Sequence, residues 1–486
     1  MKAKGSITIM LCLTLTIMTA LVGACFRSVQ NASARAVAAG GADAALYSLF
    51  GEYDRELLER YDLFFLDGAY GGSSLKLGKV TDRITYGMEK VLETDLMKTS
   101  VRQCGLTAYC LATDSGGESF RRQAAAWARD SLGSQAVSRL LKQAKGESET
   151  IRALEERGEN LQEGETLEEY DRMLEASREA DTGEAKSAEE EARPVPGDEN
   201  PIEIFRQVKK MGVLGLVIPD SKDISEKQAE ISGFLSRRTL LQGLGNSRGR
   251  PEDAGGSENL LYQEYVLKKM GSYSEPCREG DLSYQVEYIL AGQSSDQENL
   301  RRVVQRLLLI REAANYAAIY TDPVKRGQAA SLGLTLASAA GVPAGQQLAE
   351  TLVILCWAYG ESLLDVRDLL AGGRVPLVKN QGQWKLSLNN LPHILELLRE
   401  EGGTGTEGME YKGYLRVLLY LSLEKEDTEV YRCMDMVENV IRKTEGKGGF
   451  RLDQCLESAE AELILTGPQG QEWSLIRSYG YDMRGE

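Results

Sequence analysis

The stretch from Ser6 to Phe26 reads SITIMLCLTLTIMTALVGACF, and it determines where the rest of the chain can lie. It contains no charged residue and no proline, and its one glycine lies near its end. At about 1.5 Å per residue, a helix of this length spans roughly 30 Å, which is the thickness of a bilayer's hydrocarbon core. Lipid offers no partners for backbone polar groups, so we predict a transmembrane helix over residues 6–26 after a short tail, residues 1–5.

Three interpretations of this segment remain open. It is a retained anchor, an ordinary cleaved signal peptide, or a lipoprotein signal, because Val22-Gly23-Ala24-Cys25 places small residues before a cysteine. A prepilin-type signal, cleaved after Gly5, is a variant of the retained anchor. Such pilins carry glutamate at the fifth mature position, where this chain has Met10. We predict the retained anchor, with the short tail in the cytoplasm and the bulk of the chain outside the cell.

The charge of the chain excludes some partners. Its 486 residues carry a net charge of −16. Nucleic acid and anionic membrane surfaces both require clustered lysine and arginine. We therefore expect no nucleic-acid partner, and we expect contact with membrane lipid through residues 6–26.

Residue types that carry catalysis are scarce. His393 is the one histidine of the chain, so a catalytic triad or a histidine-rich metal site would depend on a single residue. The eight cysteines form no C-x-x-C pair, and Cys356 lies in the apolar run LVILCWAY, which is typical of a buried cysteine. We predict no catalytic, cofactor-binding or metal-binding residue, and we expect His393 to be solvated or to cap a helix. Paired carboxylates of a glycosidase type stay open, since an acidic chain offers many candidates.

The pattern of apolar residues predicts an α+β protein that is predominantly helical. The transmembrane helix continues into a long amphipathic helix with Gly40-Gly41 as a weak point, and a helical ectodomain with a small antiparallel sheet follows. We divide the remainder into a pilin-like helix with a small α/β region, residues 27–145, an acidic linker, 146–200, a helical domain, 201–400, and C-terminal helices with a strand, 401–486. The linker is rich in Glu, Arg, Ala, Ser and Gly, a composition that buries too little apolar surface to form a core, and its LEEYDRMLEASREA is helical in part.

Several local patterns are specific enough to test. Residues 101–112 and the end of 450–466 favour strands, and 375–388 reads as a hairpin around Asn380-Gln381-Gly382. We predict a helix capped by Asn200, with Pro201 at its first position. Arg311 falls near the apolar face of a helix, so it needs a carboxylate, for which Glu287 and Glu361 are candidates. We interpret this pair as a core ion pair rather than as a binding site.

A set of longer motifs resembles one family. These motifs are KGSITIM, GADAALYSLFGEYDRELLERYDLFFLD, NPIEIFRQVKKMGVLGLVIPDSKDIS, YQVEYILAG, ENLRRVVQRLLLIREAAN, WAYGESLLDVRDLLAGGRVPLVK and YKGYLRVLLY. The chain is similar to membrane-anchored surface proteins of Gram-positive bacteria, built on a domain of unknown function and associated with tight-adherence (Tad/Flp-type) pilus systems. Its N-terminal third resembles the pseudopilin-like TadE/TadG proteins through Ala42-Asp43-Ala44-Ala45. These motifs mark membership and carry no catalytic residues.

The resemblance implies a non-enzymatic role as a structural or assembly component of a pilus-like or secretion apparatus. The implied partners are pilus-assembly proteins or other pseudopilin-like subunits. Two alternatives remain: a cell-surface hydrolase acting through paired carboxylates, and an adhesin or sensor ectodomain.

Overall fold

The computed structural model describes residues 3–93, 98–161, 163–181, 200–219, 222–245, 256–400, 402–423, 428–467 and 469–481. The chain forms two compact units. Unit 1 comprises residues 1–124, 238–254 and 437–486, and unit 2 comprises residues 125–237 and 255–436.

The described helices and strands confirm a predominantly helical α+β protein. In the first half of the chain they are α1 Ala3–Phe50, α2 Arg55–Tyr61, β1 Leu66–Asp67, α3 Leu77–Leu92, β2 Ser100–Leu111, α4 Asp114–Leu132, α5 Ser134–Glu159, α6 Glu163–Asp181, α7 Pro201–Lys210 and α8 Val213–Val217. In the second half they are α9 Gly256–Lys269, α10 Gln285–Ala291, α11 Asp296–Thr321, α12 Pro323–Ala339, α13 Gln346–Leu370, β3 Arg374–Val375, α14 Ile394–Leu397, β4 Met409–Glu410, α15 Tyr411–Leu423, α16 Thr428–Arg442, β5 Cys455–Thr466 and β6 Glu472–Gly480.

In unit 1, helices α1 and α3 pack on an antiparallel sheet. Strand β5 pairs with β2 over most of its length, and β1 and β6 also pair with it. Helix α1 packs against α3 and β6. The buried side chains of its second half recur at helical spacing and form the core with those of α3 and the sheet: Ala38, Ala42, Ala45, Leu46, Leu49 and Phe50.

The first half of α1 is exposed and apolar. The helix holds an 18-residue window of mean hydropathy 2.3, none of it buried, and it is long enough to cross a membrane. Hydroxyl groups within it bond back to the preceding turn, as Thr14 does to the carbonyl of Leu11 at 2.9 Å. Helix α1 continues through Gly40-Gly41, so the weak point does not break it.

Unit 2 is built around α11 and α13. These two helices pack on each other, and α12, α7 and α6 pack on α13. Helix α7 begins as predicted, with the Asn200 side chain accepting a hydrogen bond from the amide of Ile202 at 3.0 Å and with Pro201 in its first turn. The predicted strands of residues 101–112 and 450–466 are present as β2 and β5.

Two local predictions are wrong. In the described part of the acidic linker, up to Asp181, the helix predicted for LEEYDRMLEASREA is present within α6. The segment is not a wholly solvated linker, however, because the end of α5 and α6 bury Ile151 and Tyr170. A few apolar residues at helical spacing were enough to pack these helices, although the composition is polar. Residues 375–388 are not a hairpin, because β3 pairs with β4 and the intervening chain forms 3-10 turns. The remainder of the linker, 182–199, lies outside the described residues.

Candidate functional site

Helix α13 carries charged residues although it is buried throughout its second half. Every residue from Leu352 to Leu370 is buried. Glu361, Asp365 and Asp368 lie at i, i+4 and i+7, which places their side chains on one face of the helix. A buried charge is costly unless it is paired and hydrogen-bonded, so each of these carboxylates requires partners from the segments that pack on α13.

Arg311 of α11 is the partner of Asp365. Its Nε and Nη2 donate to Asp365 Oδ2 at 3.0 and 2.9 Å. Its Nη1 donates to the backbone carbonyls of Pro376 and Leu377 at 2.8 and 2.9 Å. One fully buried guanidinium therefore joins α11, α13 and the chain that follows β3.

Lys379 supplies the second cation of this cluster. Its ammonium contacts both Glu361 and Asp365, and its side chain is 2% exposed. Burial raises the pKa of Glu361, although Lys379 opposes the shift. Burial also disfavours ionisation of Asp365, but the charges of Arg311 and Lys379 outweigh it and hold the pKa of that carboxyl below its usual value.

The prediction that Arg311 forms a buried ion pair in the core is confirmed, but neither of the two carboxylates proposed as its partner is the observed one. The partner lies one turn beyond Glu361 on α13, and Glu361 takes Lys379 instead. Glu287 is buried elsewhere in unit 2, where its Oε1 accepts hydrogen bonds from the Tyr411 hydroxyl at 2.8 Å and the Tyr273 amide at 2.9 Å.

The buried carboxylates also hold two loops, defined here as loop 376–387 and loop 402–408. Glu361 accepts backbone N–H groups of loop 376–387, from Lys385 at 3.1 Å and from Leu386 at 2.7 Å. Asp368 accepts three backbone N–H groups of loop 402–408, from Gly403, Thr404 and Gly405 at 2.7, 3.2 and 3.1 Å. A glycine-rich loop of this kind can bind phosphate, but here its amides bind the protein's own carboxylate.

A pocket of about 460 Å³ lies between the two loops. Asp365 and Asp368 reach it from α13, and the loops and β3 supply the remaining walls: Arg374, Val375, Pro376, Lys379, Asn380, Gly382, Gln383, Trp384, Lys385, Thr404, Gly405, Thr406 and Glu407. Its three cations and three carboxylates balance in charge. A hydrogen bond of 2.6 Å from Gln383 Nε2 to Glu407 Oε2 joins the two loops.

Trp384 is the aromatic side chain of this pocket. The ammonium of Lys325 lies 3.1 Å from the centre of its ring, and the ring of Trp357 meets it edge-on at 6.1 Å. Burial lowers the pKa of Lys325 to about 8. Lys325 does not line the pocket, whereas Lys379 does, and its ammonium lies 5.6 Å from the centre of the Trp384 ring.

The other residues singled out in the sequence lie away from this pocket. His393 is exposed at the start of α14, where its side chain makes no capping hydrogen bond, and Cys356 is buried. Within the described part of the chain, no group of three or more His, Cys, Asp or Glu side chains is placed to hold a metal ion.

The comparisons with known proteins identify the family. A family model matches residues 191–467, which is more than half of the chain. The chain belongs to DUF5702, a family of unknown function. The DUF5702 match contains α13 and both loops, and it ends before β6. Comparison with curated proteins and with solved structures gives no match.

The match confirms the predicted domain of unknown function. The similarity to TadE/TadG proteins rests on the N-terminal third, which lies outside the DUF5702 match, and it stays a prediction together with the pilus association.

Sequence reasoning missed Asp365, Asp368 and Lys379 as members of the cluster. A signal for the first two was present in ESLLDVRDLL, where carboxylates recur on one face of an otherwise apolar helix. Lys379 carried no such signal, because its partners become apparent only when the loop is folded onto α13.

Proposed function

We propose that the protein is a non-enzymatic, membrane-anchored surface protein that serves as a structural or assembly component of a pilus-like or secretion apparatus. The observation that carries this proposal is helix α1, which is at once an exposed apolar segment and a core element of unit 1. An anchor joined by a flexible linker would only hold the protein at the membrane. A rigid continuous helix also fixes the orientation of unit 1 relative to that segment.

The second half of α1 is fastened to the sheet by polar and aromatic contacts as well as by its apolar face. Gln471, next to β6, donates a hydrogen bond to the side chain of Asn31, and the guanidinium of Arg35 lies 5.8 Å from the centre of the Trp473 ring. The Tyr481 hydroxyl donates to the carbonyl of Phe50 at 2.6 Å. These contacts span the second half of the helix, so it cannot separate from the sheet without breaking the core of unit 1.

The charge cluster of unit 2 supports a non-enzymatic role. A glycosidase needs one carboxyl group to donate a proton and a second carboxylate within reach of the substrate. Of the three carboxylates that line the pocket, Asp365 and Asp368 are engaged by cations or by backbone amides, and Glu407 accepts a hydrogen bond from Gln383. We interpret their buried charges as supports of the two loops.

The proposed topology places the bulk of the chain outside the cell. Protease added to intact protoplasts should degrade a C-terminally tagged protein, and protection until lysis would contradict the orientation.

The Cys25→Ser variant separates the anchor from the lipoprotein interpretation. Anchoring and mature mass should be unchanged in this variant, whereas loss of a lipid-labelled form would establish lipidation.

The assembly role predicts that another helix packs beside α1 in the membrane. Helices in lipid approach closely at small residues. Among the described residues, nothing beyond the adjacent backbone of α1 lies within 4 Å of a Cβ atom built at Gly23. Replacing Gly23 and Ala24 with leucine should leave insertion intact and reduce the pilus-assembly partners recovered from intact membranes. Val22→Leu is the matched control, because it changes an already large residue. Equal recovery with all variants would leave α1 as an anchor only and refute the role.

A further inference from the structure

The pocket of unit 2 has the construction of a binding site. Buried charged groups hold both of its loops by hydrogen bonds. Arg311 donates to two carbonyl oxygens of loop 376–387, and Asp368 accepts hydrogen bonds from three backbone N–H groups of loop 402–408. Such contacts fix the backbone of both walls before any ligand arrives. Binding sites gain affinity from walls that are ordered in advance, since less conformational entropy is lost on binding.

The size and lining of the pocket indicate the class of ligand. A volume of about 460 Å³ lies in the range of small-molecule pockets. The pocket combines one aromatic ring, Trp384, with the amides of Asn380 and Gln383 and the hydroxyl groups of Thr404 and Thr406. These groups suit a ligand that has both an apolar face and many hydroxyl groups.

The electrostatics disfavour a strongly charged ligand. The three carboxylates of the pocket balance its three cations, and Asp368 already occupies the amides that would otherwise hold a phosphate. The ammonium of Lys379 is already paired with Glu361 and Asp365, so it does not offer a free positive charge to a ligand. A polyanion would therefore meet repulsion from carboxylates and find few free cations.

We propose that this pocket binds a neutral saccharide, with one sugar ring against Trp384 and its hydroxyl groups bonded to the amides and hydroxyls of the two loops. The inference is independent of the assembly role, because it concerns unit 2 alone. Sugar binding at this pocket would support the alternative that the protein is an adhesin or a sensor.

The test is calorimetric titration of the full-length protein in lipid nanodiscs, which avoids glycoside detergents. The probes are a glucose disaccharide and an N-acetylglucosamine disaccharide, with inorganic phosphate and a neutral dipeptide as the competing classes. We expect saturable binding of at least one sugar with a Kd of about 1 mM or tighter, and no binding of phosphate or dipeptide. Absence of saturable sugar binding, or binding of phosphate or dipeptide alone, would overturn the proposal.

Two tryptophans provide a matched pair of variants. Trp384 and Trp127 are both half-buried in unit 2, and each has a lysine ammonium over its ring. Trp384→Leu should weaken sugar binding about tenfold or more, and Trp127→Leu should leave it unchanged. Equal loss in both variants would refute the pocket as the site.

Thr406→Trp is the second test, because it fills the mouth of the pocket from an exposed position and does not disturb the loop supports. It should abolish sugar binding without changing the thermal unfolding temperature. Undiminished binding in this variant would place the sugar elsewhere, even if Trp384→Leu fails to fold.

Discussion

Each unit of this protein contains an arginine that is held by buried carboxylates, and the two arginines differ in burial and in the balance of charge around them. In unit 2, Arg311 is fully buried, and its cluster has two cations, itself and Lys379, facing Glu361 and Asp365. In unit 1, the side chain of Arg238 is 14% exposed, and it donates to Glu438 at 2.7 and 2.8 Å and to Asp453 at 2.7 Å.

The unit 1 cluster has more cations than carboxylates. Arg451 also binds Asp453 at 2.7 Å, and Arg442 lies 3.7 Å from Glu438. Loss of Arg238 would leave two arginines for two carboxylates. Loss of Arg311 would leave one lysine for two carboxylates, together with two backbone carbonyls that lose their donor. The carboxylates of unit 2 therefore depend more on Arg311 than those of unit 1 depend on Arg238.

The largest effect is expected for Arg311→Met. Removing one member of a buried ion pair leaves an uncompensated charge, which typically costs about 3–5 kcal/mol. We expect the free energy of unfolding of unit 2 to fall by about that amount, and loops 376–387 and 402–408 to lose protection. Denaturant-dependent hydrogen exchange, read from peptides of each unit, measures both.

Two arginines serve as controls for this change. Arg238→Met should destabilise unit 1 by a smaller amount, because its carboxylates keep Arg442 and Arg451. Arg301→Met removes an exposed pair with Glu298 on the same helix as Arg311 and should cost under about 1 kcal/mol. The comparison fails if Arg238→Met proves as damaging as Arg311→Met.

Glu287 extends the comparison, because it is a buried carboxyl that pairs with no lysine or arginine among the described residues. Burial raises the pKa of Glu287 to about 7, against hydrogen bonds from Tyr273 and Tyr411 that favour its charged form. The folded state therefore holds this proton more tightly than the unfolded state. Its contribution to stability is complete below the unfolded pKa, near 4.5, and is lost as the pH rises through about 7.

We expect this residue to make unit 2 less stable at pH 8 than at pH 5 by up to about 3 kcal/mol, as the size of the pKa shift implies. Glu287→Gln should remove that slope and raise stability mainly at pH 8. Glu275→Gln, at an exposed site, should keep the wild-type slope. An unchanged slope in Glu287→Gln would mean that this carboxyl is ionised at low pH and that another group carries the dependence.

The parts of this fold that the sequence predicts best are those that depend on local pattern. The apolar half of α1, the Asn200 cap and the buried helix around Cys356 each follow from residues close together in the chain. The packing of α5 and α6 was missed because their overall composition is polar, although Ile151 and Tyr170 are buried.

The candidate site was the least predictable part, because its contacts join distant segments. GGTGTEG could be predicted as a loop, but not that a side chain at Gly405 would lie 2.0 Å from the carbonyl oxygen of Arg374. Likewise, Arg311 was recognised as needing a carboxylate, yet choosing Asp365 over Glu361 requires knowing how α13 is rotated against α11.

The smallest expected changes in stability concern the packing of α1 on α3 in unit 1. This contact is made by closely packed apolar residues rather than by ion pairs. Gly40 lies on α1 and Gly87 on α3, both inside helices. A Cβ atom at Gly40 would meet nothing within 4 Å in the described part of the chain except the adjacent backbone of α1. One at Gly87 would lie 3.0 Å from Ala45 Cβ and 3.3 Å from its Cα. Replacing either glycine with alanine raises helix propensity by about 1 kcal/mol.

Gly40→Ala should therefore stabilise unit 1 by up to about 1 kcal/mol. Gly87→Ala should offset the same gain by pushing α3 away from α1, because the backbone of Ala45 cannot yield as a flexible side chain could, and its net effect should be destabilising. Hydrogen exchange of α1 and α3 peptides in unit 1 measures the difference. If both variants stabilise equally, the two helices do not approach as closely as described, and the core of unit 1 tolerates a methyl group at their contact. Opposite signs would establish that small residues set the distance between α1 and α3.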